Sequence, residues 1–184
     1  SNTFTLAPNT EPTGEDQADY TGALDDDNVN GTIDFTFVTG MVAVGNYVFM
    51  DNNGNGTFEA GTDMPIENVA LELYAAGGVP GTDTPVATTS TNANGYYYFD
   101  NLAPGDYFVY IPASNFAAGQ PLEDKESFAG ADATDNTDNN DNGIDDSNPL
   151  MNGIASNTFT LAPNTEPTEE DQTDYPGTLD DDNV

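Results

Sequence analysis

Residues 94–111 read NGYYYFDNLAPGDYFVYI, and this stretch decides the fold. Asn94-Gly95 and Pro104-Gly105 are turn formers, because glycine reaches left-handed backbone and proline presets φ. Between and after them stand aromatic and β-branched side chains, which suit a pleated, half-buried surface. The stretch therefore predicts two short strands, at 96–99 and 107–111. Successive side chains of a strand point to opposite faces, so Tyr97 faces away from Tyr96 and Tyr98.

The same signals continue outward in both directions. Residues 69–74 place Val69, Leu71 and Leu73 on one face, and 85–91 and 44–50 are comparable runs. Residues 33–38 alternate Ile33, Phe35 and Phe37 against Asp34 and Thr36. Residues 157–161 put Phe159 and Leu161 on one face. No helical period runs longer than two turns. Seven or so short strands punctuated by turns predict an all-β fold, an antiparallel β-sandwich. The segments 113–155 and 162–182 read as loops, and loops of such length are uncommon unless something orders them.

Charge bounds the function. The 184 residues hold 33 acidic side chains against one basic residue, Lys125, and no histidine, for a net charge of −32. Nothing can neutralise phosphates, so nucleic acid is excluded as a partner, and an anionic membrane surface repels the chain. No stretch approaches the ~18 apolar residues of a membrane span. Cysteine is absent, so no disulfide can staple the domain. With neither His nor Cys, the Ser-His-Asp, Cys-His and histidine-metal constellations are excluded, and the chain is expected not to be an enzyme. So many carboxylates repel one another, and bound cations, high salt or wide spacing must offset them.

Residues 1–29 recur at 156–184, an offset of 155, with 25 of 29 positions identical. The differences are Gly14/Glu169, Ala18/Thr173, Thr21/Pro176 and Ala23/Thr178. A period of 155 suits a whole domain repeated in tandem rather than a solenoid turn. The expected organisation is that residues 1–39 close one repeat, with its last strand at about 32–38. Residues 40–184 then form the following sandwich without its own final strand.

Three stretches share the spacing D-x-N-x-N-G-x-x-[DE]. The first runs from Asp51 through Asn53, Asn55 and Thr57 to Glu59, with Asp63 just beyond. The second holds Asp138, Asn140, Asn142, Ile144 and Asp146, and the third Asp26, Asn28, Asn30, Thr32 and Asp34. This is the opening of an EF-hand-type calcium loop. Calcium takes six to eight hard oxygens at roughly 2.3–2.6 Å, supplied from positions 1, 3 and 5, the carbonyl at 7 and an acid at 9. Glycine at 6 permits the sharp turn. Position 12, which carries a bidentate Glu in an EF-hand, holds Thr62, Pro149 and Phe37 here. Asp63 could substitute in the first loop, and carboxylates such as Asp132, Asp135, Asp180, Asp181 and Asp182 are available to the others. The expected cofactor is calcium, about two to three ions per repeat. The bland alternative is a set of ordinary Asx-turn loops on a solvated surface.

The stretch 45–56, GNYVFMDNNGNG, resembles the G-D-Y-V-W-x-D-x-N-x-N-G opening of the B-type domains of serine-aspartate repeat (Sdr) surface adhesins. Residues 66–73, IENVALEL, resemble that family's I-x-x-V-x-V-x-L strand. Residues 94–109 resemble its N-G-x-Y-x-F-x-x-L-x-x-G-x-Y-x-V signature. The resemblance implies a prealbumin-like or Cna-B-like β-sandwich with long calcium-binding loops, serving as an extracellular stalk module. The related pilin-type domains carry a Lys–Asn isopeptide bond. Lys125 stands outside the first-strand position, so that bond is not expected. The functional expectation is a calcium-rigidified building block of a repetitive surface or filament protein. Its partners would be neighbouring copies of the same repeat, in tandem or by donation of strand 32–38, with no direct membrane contact. The alternative is an adhesin module that binds a surface ligand, protein or polysaccharide.

Overall fold

In a computed structural model the chain divides into two units, Ser1–Val38 and Thr39–Val184. The structure describes residues 40–128, 130 and 140–163, together with Thr5, Ala7, Phe35 and Thr165. Of the strand expected at 33–38, only Phe35 is among the described residues, where it is exposed and outside any strand.

The described part holds nine short strands and two helical turns: β1 Val42–Tyr47, β2 Phe49–Met50, β3 Met64–Pro65, β4 Ala70–Ala75, β5 Ala87–Ser90, β6 Tyr96–Leu102, β7 Gly105–Ile111, a 3-10 turn Ala113–Phe116, α1 Pro149–Asn152, β8 Ile154–Ala155 and β9 Phe159–Leu161. Every strand pairing among the described residues is antiparallel. One layer is built on β1–β6, and the other runs β5–β4–β7–β8 with β9 also against β7. The expected all-β sandwich is the observed architecture.

The layers bury the faces that alternation predicted. Leu71 and Leu73 of β4, Val109 and Tyr107 of β7, and Val42 and Phe99 of the opposite layer share one core with Ile154 and Leu161. At roughly 1.5–3 kcal/mol for each fully buried large apolar side chain, this cluster is the main stabilising term. Tyr97 and Phe99 point into it with ring centroids 6.0 Å apart. Tyr96 faces the other way, yet it is buried too, because Tyr47 covers it at 3.8 Å.

The two turn signals that decided the fold do not make hairpins. At Ala103-Pro104 the chain leaves β6 in one layer and enters β7 in the other. The Tyr107 hydroxyl pins this corner by donating to the Ala103 carbonyl at 2.8 Å. Asn94-Gly95 likewise carries the chain from β5 to β6 across the layers. Gly95 has φ 81°, and an added Cβ would meet the Val48 carbonyl at 2.7 Å. The β1–β6 pair also carries a bulge: Val42 pairs Leu102 while Val44 pairs Phe99. Asn101 takes up the extra residue at φ 54°.

Some boundaries differ from expectation. The strand read at 44–50 begins at Val42 and breaks at Val48, which leaves the β6 ladder to bond Gly95 and Ile66 through its N–H and carbonyl. The segment 113–155 is not loop throughout. It holds a 3-10 turn at Ala113–Phe116, then α1 and β8. Asn115 fixes the first of these: its side chain, only 3% exposed, accepts from Ala70 N at 2.8 Å and donates to Ala70 O at 3.0 Å. These pieces follow tertiary contacts, not a local period, and so leave little trace in the sequence.

Candidate functional site

The first acidic loop, 51–59, follows β2, and Asp63 directly precedes β3. One carboxylate organises its start. Asp51 Oδ1 accepts from the N–H of Gly54 at 2.6 Å and of Asn53 at 3.1 Å, while Oδ2 accepts from Gly56 N at 2.7 Å. Loss of hydration pushes the Asp51 carboxyl up, but the N–H groups of Gly56, Gly54, Asn53 and Asn55 outweigh it and hold it below the usual carboxylate value. Gly54 and Gly56 take φ of 71° and 75°, the left-handed backbone that lets successive N–H groups turn toward one acid.

The amides continue the curl. Asn53 Oδ1 accepts from Asn55 N at 3.1 Å, and Asn55 Oδ1 accepts from Thr57 N at 2.8 Å. Their side-chain NH2 groups both donate to the Glu59 carboxylate. Asp63, 6% exposed, closes the loop: it accepts from Asn52 N at 2.9 Å and from Glu59 N at 2.8 Å. Phe58 anchors the loop on the sheet, stacking on Tyr47 at 4.5 Å and meeting Phe49 edge-on at 5.4 Å.

The second loop lies against the first. Asp141 N donates to Gly56 O at 3.0 Å, and Thr57 and Asn140 form an isolated antiparallel bridge. Asn140 Oδ1 and Asp141 Oδ2 are buried from solvent. Further on, Ile144 N donates to Ala155 O at 2.8 Å, tying the loop to β8. Asp146 turns to α1, accepting from Asn148 N at 2.6 Å and from the Asn152 amide at 3.1 Å. Of the site residues read from the sequence, Asp51, Asn53, Asn55, Thr57, Glu59 and Asp63 thus share one loop, with Asn140 and Asn142 in the strand of chain beside it. Ile144 is tied instead to β8, and Asp146 to α1. Asp138 and the whole third set, Asp26, Asn28, Asn30, Thr32 and Asp34, lie outside the described residues.

Among the described residues, no group of three or more acidic side chains converges as a metal-holding cluster. The donor set of the first loop is nonetheless all oxygen, from carboxylates, amides and backbone, which is the chemistry of a hard divalent cation. Sequence reading missed Asp141, because position 4 of the motif is unconstrained and its role comes from the contact with Gly56. It also missed Phe58, which sits between ligand positions.

Beside the paired loops a cleft of about 290 Å3 enters the sandwich. Apolar residues such as Val48, Ile66, Val109 and Ile154 line it, with Tyr97 and the single basic residue, Lys125. Burial pushes the Tyr97 hydroxyl up to about 12.

Fold and loops together define a β-sandwich module of the kind carried by repeat-containing proteins. The chain belongs to the SdrD B-like domain family, whose profile it matches over residues 42–138. It is similar to Colossin-A of Dictyostelium discoideum, 30% identical over 142 residues, which is 76% of this chain and 1% of that protein. It is also similar to the bone sialoprotein-binding protein of Staphylococcus aureus (strain MRSA252), at 36% over 90 residues, 48% of this chain and 7% of that protein. The serine-aspartate repeat-containing protein I of Staphylococcus saprophyticus is 35% identical over 83 residues, 45% of this chain and 4% of that protein. The chain thus spans only a small part of the curated relatives it matches. The matched family is a repeat-type domain and not an enzyme family. No helix among the described residues is long and apolar enough to cross a membrane.

Proposed function

We propose that this chain is a non-catalytic structural module of an extracellular, repeat-built surface or filament protein, stiffened by calcium at its acidic loops. The observation that supports this best is the side-by-side placement of residues 51–59 and 140–142, joined through Gly56 O and Asp141 N. Asp51, Asn53, Asn55, the Thr57 carbonyl, Glu59 and Asp63 would hold one ion. Asp138, Asn140, Asn142, the Ile144 carbonyl and Asp146 are proposed for a second, and Asp26, Asn28, Asn30, Thr32 and Asp34 for a third. A bound cation supplies positive charge that offsets carboxylate repulsion. The chain's own part is to bend each loop so that its oxygens face inward.

The partners we propose are neighbouring copies of the same repeat. The stretch 156–184 repeats 1–29, so the segment 30–38 would recur after each sandwich. Among the described residues β1 pairs with β6 alone, which leaves an edge for such a strand. Tandem succession and strand donation between chains both satisfy this. A second reading, a module that binds a surface ligand, has the apolar cleft with its rim of acids and Tyr97 in its favour.

Thermal unfolding of a complete 155-residue repeat, in millimolar calcium and then in excess chelator at fixed ionic strength, tests the main reading. Each site filled at a hundred times its Kd adds about 2.7 kcal/mol. A large fall in Tm on chelation, not restored by sodium chloride, is the expected result. An unchanged Tm would sink the calcium reading and leave the acidity as salt adaptation.

A further inference from the structure

The described residues hold five asparagine–glycine pairs: Asn53-Gly54, Asn55-Gly56, Asn94-Gly95, Asn142-Gly143 and Asn152-Gly153. Such a pair is chemically labile in water, because glycine offers no side chain to hinder ring closure. The glycine nitrogen, on losing its proton, attacks the asparagine Cγ. An N–Cγ bond forms, the Cγ–Nδ2 bond breaks, and ammonia leaves carrying the proton. Water then opens the cyclic imide at either carbonyl. The product is aspartate, or isoaspartate with the main chain rerouted through the side chain. Ring closure needs the nitrogen and Cγ to turn toward each other.

We infer that Asn53, Asn55 and Asn142 are latent deamidation sites held inactive by two carboxylates, Asp51 guarding the first pair and Asp141 the third. Both partners in each ring closure of the first loop are pinned. The nucleophiles, Gly54 N and Gly56 N, are held by Asp51 Oδ1 at 2.6 Å and Oδ2 at 2.7 Å. The electrophilic amides are held at both ends: by Asn55 N and Thr57 N on their oxygens, and by Glu59 on their nitrogens. In the second loop Gly143 N is held by Asp141 Oδ1 at 3.0 Å. A carboxylate whose ordinary pKa is about 4 is far too weak a base to remove an amide proton, so these bonds restrain the nitrogen without activating it.

The remaining two pairs are protected differently. Gly95 N donates to the Asn92 carbonyl at 2.9 Å, and Gly153 N to the Pro149 carbonyl at 2.8 Å. Neither glycine nitrogen is held by an acid, and the carboxylate that holds the Asn152 amide is Asp146, not Asp51 or Asp141, so these pairs report on the fold as a whole. Opening of the first loop, by contrast, releases nitrogen and amide together. A single hydrolysis then leaves a new negative charge, and the isoaspartyl product adds a backbone methylene that prevents the same bonds from re-forming. The inference rests on the chain's own hydrogen bonds and not on a bound cation.

The test incubates the full chain in mildly alkaline buffer, folded and urea-unfolded, with calcium and with chelator. Peptide mass spectrometry follows deamidation at each asparagine. Charge-assisted hydrogen bonds of about 1.5–3 kcal/mol correspond to folded-state slowing of about ten- to a hundredfold at Asn53, Asn55 and Asn142. Asp51→Ala is expected to restore fast deamidation at Asn53 and Asn55 while Asn142, Asn94 and Asn152 stay slow. Asp141→Ala is expected to release Asn142 alone. If Asn94 and Asn152 also accelerate in Asp51→Ala, the variant has lost its fold. Asp51→Asn, which keeps one acceptor oxygen, then takes its place and should free one of the two sites. Folded wild-type chain that deamidates at Asn53 and Asn55 as fast as unfolded chain in both buffers overturns the inference. So does a folded Asp51 variant in which both sites stay protected. A Tm insensitive to calcium would leave the inference untouched.

Discussion

Asp63→Ala tests whether the first acidic loop is mechanically part of the sandwich. Asp63 is 6% exposed, and its two oxygens take one N–H from each side of the loop, Asn52 at 2.9 Å and Glu59 at 2.8 Å. Immediately after it, β3 pairs Met64 with Met50 and Pro65 with Phe49. Truncation therefore orphans two donors and loosens the closure of an eleven-residue excursion. Hydrogen bonds to a charged group contribute about 1.5–3 kcal/mol each. Asn52 and Glu59 are themselves exposed, so water recovers part of this, and the expected loss is about 2–4 kcal/mol. Urea unfolding followed by tyrosine fluorescence is suitable, since the chain has no tryptophan. With m of about 1–3 kcal/mol/M, the midpoint should fall by about 1–2 M. Measuring in chelator at fixed ionic strength keeps cations out of the comparison. A midpoint within about 0.3 M of wild type would refute the reasoning, because the loop would then open without cost to the sandwich.

Tyr97 should govern part of the alkaline limit. Burial raises its folded value to about 12 from an ordinary value of 10.0, so its contribution is fully present below pH 10 and is lost as pH rises toward 12. Tyr97→Phe is expected to flatten the fall in Tm over that window, and an unaltered slope would assign the alkaline loss to other tyrosines. Gly95→Ala should destabilise by about 2–4 kcal/mol, since it puts a Cβ on left-handed backbone and 2.7 Å from the Val48 carbonyl. That corresponds to a Tm drop of about 5–15 °C by differential scanning calorimetry. A wild-type Tm would show that the turn relaxes freely.

The sequence by itself determined the layers. Period-2 alternation at Leu71/Leu73 and Tyr107/Val109 is a local consequence of pleated backbone, so the core face could be read without coordinates. The curl of 51–59 is local for the same reason: it is an Asx-turn ladder, each side chain bonding a backbone group two or three residues on, as the alternative reading of ordinary Asx-turn loops expects. What only the tertiary structure decided is long-range. Whether Asn94-Gly95 and Pro104-Gly105 make hairpins or cross between layers depends on which strands find partners, and β6 pairs with β1, not with β5 or β7. The meeting of Gly56 with Asp141 joins residues 85 apart, and no spacing rule encodes it. The small elements at 113–116, 149–152 and 154–155 exist because Asn115, Asp146 and β7 hold them. Local patterns set which face is buried; chain crossings and loop partners are settled by packing, where contacts distant in sequence compete for the same sheet edges.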